Sequence, residues 1–227
     1  MKIRFLFSLQ AIFFFFAASA QECVYYYPHV EGAKLMYQYY DKNDKITGKL
    51  SQELTSFSGT AKGSKGNIVS RMYDAEDNLI SDVELEMRCE EGIFYFDMMS
   101  YVNQESLKAY ENMDITMDAR DVEFPSNLKV GDKLADAEIK ITVNTGIFPL
   151  TFTVSVKDRE VEAKENITTA AGTFETYKIN QTTTAKFGLE FTTQSTEWYS
   201  RDVGMVKSIS YRNGKEESRS ELISLSR

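Results

Sequence analysis

Histidine, cysteine and proline are scarce in this chain of 227 residues, at one, two and three copies. Each scarcity removes a class of chemistry. A Ser-His-Asp or Cys-His nucleophile would have to be built on His29, beside Pro28, and no G-x-S-x-G elbow is present to carry a serine. The same shortage leaves a conventional zinc site without ligands, and there is no C-x-x-C pair for redox work. The acidic runs at 41–45 (DKNDK) and 74–78 (DAEDN) lack the sixth-position glycine and twelfth-position glutamate of an EF-hand and read as hairpin turns. No metal or other cofactor is expected. Positive charge is also in deficit: 26 Lys and Arg against 34 Asp and Glu give −8. Such a surface repels phosphate backbones and anionic headgroups, so nucleic acid is not an expected partner.

What is present begins with a secretory pattern at 1–20. Lys2 and Arg4 make a basic start, 5–18 is mostly apolar, and Ala18-Ser19-Ala20 is an A-x-A cleavage site. Ser8 and Gln10 interrupt the apolar run and leave it short of the ~20 residues of a helical span. Cleavage after Ala20 leaves residues 21–227, with 24 basic against 34 acidic residues, or −10. Cys23 lies behind Gln21 and Glu22 rather than directly after the cleavage site, so no lipobox is present. No second apolar run spans a bilayer, and the expected location is the periplasm or the extracellular space. In that oxidising setting Cys23 and Cys89 are expected to form one disulfide.

The rest of the chain alternates with period two. Val83, Leu85, Met87 and Cys89 oppose Asp82, Glu84, Glu86 and Arg88, which gives a strand with one dry and one wet face. Residues 33–40 and 46–57 form a first hairpin, 67–73 and 79–89 a second, and 93–99 (IFYFDMM) a strand covered on both faces. A glycine-rich stretch at 59–66 (GTAKGSKG) reads as a mobile loop. Leu107, Tyr110 and Met113 at helical spacing predict one short covering helix near 104–112, extending to 113. The break at 124–134 (FPSNLKVGDKL) reads as a long turn crossing over within one domain. Beyond it, 159–179 (REVEAKENITTAAGTFETYKI) predicts two strands with their charges on wet faces. Asn213-Gly214 is the strongest turn signal, since a type I′ hairpin needs positive φ at both central positions. The expected fold is mainly all-β: an antiparallel meander of about ten to twelve strands curled into a barrel or half-barrel, as a single domain over 21–227.

FPSNLKVGDKL, REVEAKENITTAAGTFETYKI and EWYSRDVGMVKS, with an early cysteine before aromatics and proline (23–28) and a second cysteine before a glycine turn (89–92), resemble the TapB-like exported bacterial proteins. The resemblance covers most of the chain after the leader. It implies a curved β-sheet of the cell envelope, similar in shape to the half-barrel carriers of lipoproteins, with a role in surface or pilus-related assembly in some members. The shared motifs are turns and strands and bring no functional residues with them.

Function must then be sought in the aromatic and Met-rich first half. Tyr37, Tyr39, Phe94, Phe96, Met98, Leu107, Tyr110 and Phe152 are the candidate lining of an apolar ligand site inside the curled sheet. The first expectation is a monomeric, non-enzymatic binding protein for a hydrophobic small molecule, acylated protein or apolar peptide. The second is a structural or assembly module that binds an envelope protein through a sheet edge or the 59–66 loop. Asp97 and Glu175, carboxylates on apolar-rich strands, are the nearest approach to a hydrolytic pair, and solvated acidic side chains are the simpler reading of both. No catalytic residue is expected.

Overall fold

An alternating segment buries one face and wets the other when laid in a sheet, and the described residues form thirteen strands. The computed structural model describes residues 22–60, 62–103, 105–146 and 148–227. The leader expected at 1–20 lies outside them. A first meander comprises β1 (Lys34–Asp41), β2 (Ile46–Thr60), β3 (Gly63–Asp74), β4 (Leu79–Glu90) and β5 (Ile93–Phe96). A 3₁₀ turn (Met98–Tyr101) and the single helical turn α1 (Glu105–Lys108) lead to two short strands, β6 (Asp114–Arg120) and β7 (Val122–Pro125). The second meander is β8 (Ala137–Asn144), β9 (Leu150–Thr169), β10 (Gly172–Phe187), β11 (Leu189–Ser200), β12 (Gly204–Arg212) and β13 (Lys215–Ser226).

All thirteen belong to one sheet, in the order β6-β8-β9-β10-β11-β12-β13-β1-β2-β3-β4-β5-β7. β13 pairs antiparallel with β1 and so joins the two meanders. The two edge strands, β6 and β7, are consecutive in the chain with Asp121 alone between them. One residue thus spans the gap between the edges, and the sheet curls into a nearly closed barrel. The Asp121 carboxylate accepts from the Arg88 guanidinium and from Met98 N–H at 3.2 Å, pinning this seam to β4 and to the 3₁₀ turn. The all-β curled meander is the fold expected from sequence. The strand count exceeds the expected ten to twelve because the chain also forms the short edge strands β6 and β7; β6 (DITMDAR) alternates Ile115, Met117 and Ala119 with polar residues but is exposed at six of its seven positions.

Several local expectations are corrected. The helix near 104–112 is one turn, Glu105–Lys108; Gln104 lies outside the described residues. Tyr110 and Met113 donate to Leu107 and Tyr110 through i+3 bonds, and Met113 stays exposed, because the chain has only these residues in which to turn into β6. The predicted strand 93–99 stops at Phe96, and Met98 and Met99 belong to the 3₁₀ turn. Much of the glycine-rich stretch 59–66, read as a loop, is strand: Gly59 and Thr60 end β2, residues 63–66 begin β3, and Ala61 lies outside the described residues. Its glycines permit close packing: a Cβ on Gly66 would lie 3.0 Å from both Leu54 Cδ1 and Met87 Cε. Phe124 and Pro125, read as part of a long turn, are the end of β7 and pair with β5.

Arg159 is the sharpest departure. Read as a wet-face charge, it is 1% exposed. Asp158 takes φ +53°, and the β9–β10 register slips beside it, so that Asp158 and Arg159 stand opposite Gln181. This bulge moves the inward set from even positions (Val154, Val156) to odd ones (Arg159, Val161). Arg159 Nη1 donates to the Glu123 and Ala135 carbonyls at 3.1 Å each, and its guanidinium lies 5.1 Å from the Phe124 ring centre.

The expected disulfide is present: Cys23 and Cys89 are bonded, with 6.1 Å between Cα atoms. It ties the aromatic lead-in to β4. Tyr26 stacks on Phe124 at 5.1 Å and meets Tyr177 edge-on at 6.3 Å, and Tyr25 hydrogen-bonds Ser64 at 2.8 Å. The lead-in is core.

Candidate functional site

Small side chains set among large ones leave room inside the barrel. One row of aligned residues across β11, β12, β13 and β1 reads Glu197, Ser208, Ser220, Tyr39. The two serines stand where apolar side chains would otherwise fill the interior. An inner chamber of about 200 Å³ results, walled by Tyr27, Tyr37, Tyr39, Phe96, Tyr101, Phe124 and Tyr199, with Glu197 as its one acidic side chain. Beside it lies an outer chamber of about 480 Å³, bounded by Met72, Tyr73, Val83, Leu85, Met99 and Val102. Tyr39, Leu50, Gln52, Ser100 and Tyr101 line both, so the two are contiguous.

The 3₁₀ turn Met98–Tyr101 covers this space, and Asp97 holds it in place. Asp97 Oδ1 accepts from Met99 N–H at 2.8 Å, and Oδ2 from Glu86 N–H at 3.1 Å. Asp97→Ala should remove both bonds, cost about 1 kcal/mol and speed hydrogen exchange at the 98–101 amides, measured by mass spectrometry. Unchanged exchange would show that the cover does not depend on this cap.

Glu197 is buried and hydrogen-bonded. Tyr199 Oη donates to its Oε2 at 2.7 Å and Tyr101 Oη at 3.4 Å, while Gln181 Nε2 donates to Tyr101 Oη at 3.2 Å. Burial pushes the Glu197 carboxyl up, against the opposing pull of Tyr199, Arg159 and Tyr101. A carboxyl whose folded pKa is raised contributes stability that is complete below its unfolded value and is lost as the pH rises through the folded one. The stability of the wild type relative to Glu197→Gln should therefore fall as the pH rises above the ordinary glutamate range, read as diverging urea midpoints. A difference independent of pH would contradict this. Burial acts the same way on the Tyr101 and Tyr199 hydroxyls, which stay protonated and able to donate.

The sequence-predicted lining divides. Tyr37, Tyr39 and Phe96 line the inner chamber, and Tyr39 the outer one too. Phe94 and Met98 are packed core. Leu107 is buried in the core without lining either chamber, and Tyr110 packs against the core, meeting Phe152 edge-on at 5.6 Å away from both chambers. Asp97 is a cap, and Glu175 is an exposed partner of Lys164 at 2.7 Å. Glu197, Tyr101, Tyr199 and Gln52 were not foreseen. Glu197 does carry a signal: a glutamate followed by Trp198 and Tyr199 in a strand otherwise rich in threonine and serine.

A family model described as DUF3108-like matches residues 30–222. The chain belongs to the DUF3108-like family. The match spans β1 to β13 and stops short of the cysteine-bearing lead-in. Two solved structures share the DUF3108-like barrel. A candidate exported protein with a YmcC-like fold, from Bacteroides fragilis, superposes with a TM-score of 0.74 at 21% identity, over 90% of this chain and 100% of that one. A candidate lipoprotein from Parabacteroides distasonis gives 0.76 at 21% identity, over 91% and 100%. At this identity the likeness is one of fold. No curated protein matches. The TapB-like name suggested by the sequence is finer than these matches carry. Among the described residues of this DUF3108-like chain, no helix is long and apolar enough to cross a membrane, and no cluster of three His, Cys, Asp or Glu is placed to hold a metal ion.

Proposed function

We propose that this protein is a non-enzymatic component of the cell envelope, exported by the leader at 1–20, whose barrel interior binds an apolar small molecule or the acyl or apolar side chains of a partner. The observation that carries the reading is the pair of contiguous chambers, about 480 and 200 Å³, with walls mainly of aromatic, aliphatic and methionine side chains. Together they match the size and character of small-molecule sites. A disulfide between distant residues suits an oxidising compartment and supports export. Native mass spectrometry of protein purified from its own envelope should show a retained apolar mass, released by organic solvent. Bare protein from a gentle preparation would count against the reading.

A second reading, a TapB-like place in surface assembly, is favoured by a separate feature. Phe187, Leu189 and Phe191, at the β10–β11 hairpin tip, are exposed, as is Phe148 in the β8–β9 connection. Phe187 stacks on Phe152 at 3.9 Å, which places this patch beside the end of β9. Exposed apolar patches mark protein contacts. Leu189→Ser with Phe191→Ser should abolish cross-linking to a recurrent envelope protein while leaving cavity binding intact.

A further inference from the structure

Three observations bear on the head group of the ligand. First, no Lys, Arg or His lines either chamber, while Glu197 lines the inner one and Glu105 the outer. An anionic head would enter without a counter-charge and face two carboxyls. Second, Glu197 is ringed by aromatic walls, with Tyr39, Tyr101 and Tyr199 nearest among its lining neighbours. Tyr199 and Tyr101 meet the carboxyl through their hydroxyls, and a desolvated carboxylate in an aromatic-lined chamber attracts an organic cation. Third, the hydroxyl of Tyr27, itself a lining residue and 2% exposed, has no hydrogen-bond partner. It can accept an N–H that no protein group supplies.

Arg159 is the charge that could reverse this preference. It lines neither chamber; its Nη1 is committed to the Glu123 and Ala135 carbonyls, and its guanidinium lies over the Phe124 ring. Burial raises the Glu197 carboxyl, and Arg159 pulls the other way from behind the wall. The net charge of the chain without its leader, −10 (24 basic against 34 acidic residues), draws cations toward the protein as a whole.

We infer that the interior selects a cationic amphiphile, an alkylammonium whose head sits at Glu197 and whose tail extends into the outer chamber. The inference rests on the apolar-ligand reading above and names its head-group class.

The test compares three probes with the same tail, decylammonium, decanol and decanoate, each below its micelle threshold and titrated calorimetrically into the mature protein. Decylammonium should bind at least about tenfold more tightly than decanoate. Glu197→Gln should weaken decylammonium by about tenfold or more and decanol by clearly less, and retained decanol binding also reports an intact chamber in the variant. Equal binding of decanoate, or indifference of decylammonium to Glu197→Gln, overturns the cation assignment while the apolar-ligand reading stands. Failure of all three probes to bind the wild type overturns both. The contrast between decylammonium and decanoate needs no variant, so the test holds even if Glu197→Gln does not fold.

Discussion

Loss of about 4 kcal/mol of unfolding free energy is the expected result of replacing both cysteines, as Cys23→Ser with Cys89→Ser. The bond closes a loop over 66 positions of sequence, and the chain-entropy cost of closing a loop of that length in the unfolded state is about 4 kcal/mol. Against a typical stability of roughly 5–15 kcal/mol, that is a large fraction. The effect should not be confined to entropy. Cys89 is fully buried on β4, and its partner anchors Tyr25, Tyr26 and Tyr27, which fill the barrel from within. Without the bond, the ties left at the start of the lead-in run through Ser126, whose Oγ accepts Val24 N–H at 3.1 Å and lies 2.6 Å from the Gly92 carbonyl. The double variant should therefore melt roughly 10 °C lower and lose protection of its lead-in to proteolysis below the global transition. A melting point within a degree or two of wild type would show that the tyrosines hold the lead-in without the bond.

Tyr26→Ala is expected to cost about 3–5 kcal/mol, on the scale of other large aromatic truncations in cores. The ring is 1% exposed and touches Phe94, Phe124 and Tyr177 from three directions, so no neighbour can move far enough to fill the space. Tyr26→Phe separates ring from hydroxyl. That hydroxyl lies near the Arg201 guanidinium without a well-formed hydrogen bond, and burial pushes its pKa up to about 12 against the pull of Arg201. Removing so weakly held a polar group costs little, so Phe should fall within about 1 kcal/mol of wild type. Chemical denaturation of the two variants checks both values. A Phe variant as unstable as the Ala variant would place the energy in the hydroxyl and contradict the packing account.

Much of this fold is visible in single residues. Leu85, Met87 and Cys89 lie on the buried face of β4 because their spacing demands it, with Val83 half-buried at the start of the same row. Asn213 and Gly214 turn the β12–β13 hairpin with φ of +53° and +72°, as a type I′ turn requires. What escaped prediction depends on contacts distant in sequence. The inward turn of Arg159 comes from a bulge against β10, whose sequence trace is no more than a switch from even to odd apolar positions between Val156 and Val161. The helix read at 104–112 had the right spacing at Leu107 and Tyr110, but the return to the sheet edge at β6 leaves it a single turn.

The site was half legible for the same reason. Tyr37, Tyr39 and Phe96 could be named as interior aromatics from alternation, while Phe94 and Met98 show the same pattern and are simply packed. Whether an inward aromatic meets space or another side chain is decided by its cross-strand neighbours. Here Ser208 and Ser220, unremarkable in sequence, make the space, and the register that aligns them with Glu197 and Tyr39 is set by four strands at once. Glu197 itself lies in β11 where Ser195, Thr196, Glu197 and Trp198 are all buried, a two-sided burial that period-two reading does not anticipate.

The measurement closest to the central claim is a fluorescence titration of the mature protein with N-phenyl-1-naphthylamine, an apolar dye that brightens when desolvated. Val83→Trp should fill the outer chamber and Ser220→Leu the inner one, each adding apolar volume where the wild type has space. If the interior is a binding site, the wild type will give a saturable rise in emission that both variants weaken sharply while remaining folded by circular dichroism. A wild type that leaves the dye dark, or a rise that survives both substitutions unchanged, would contradict the account.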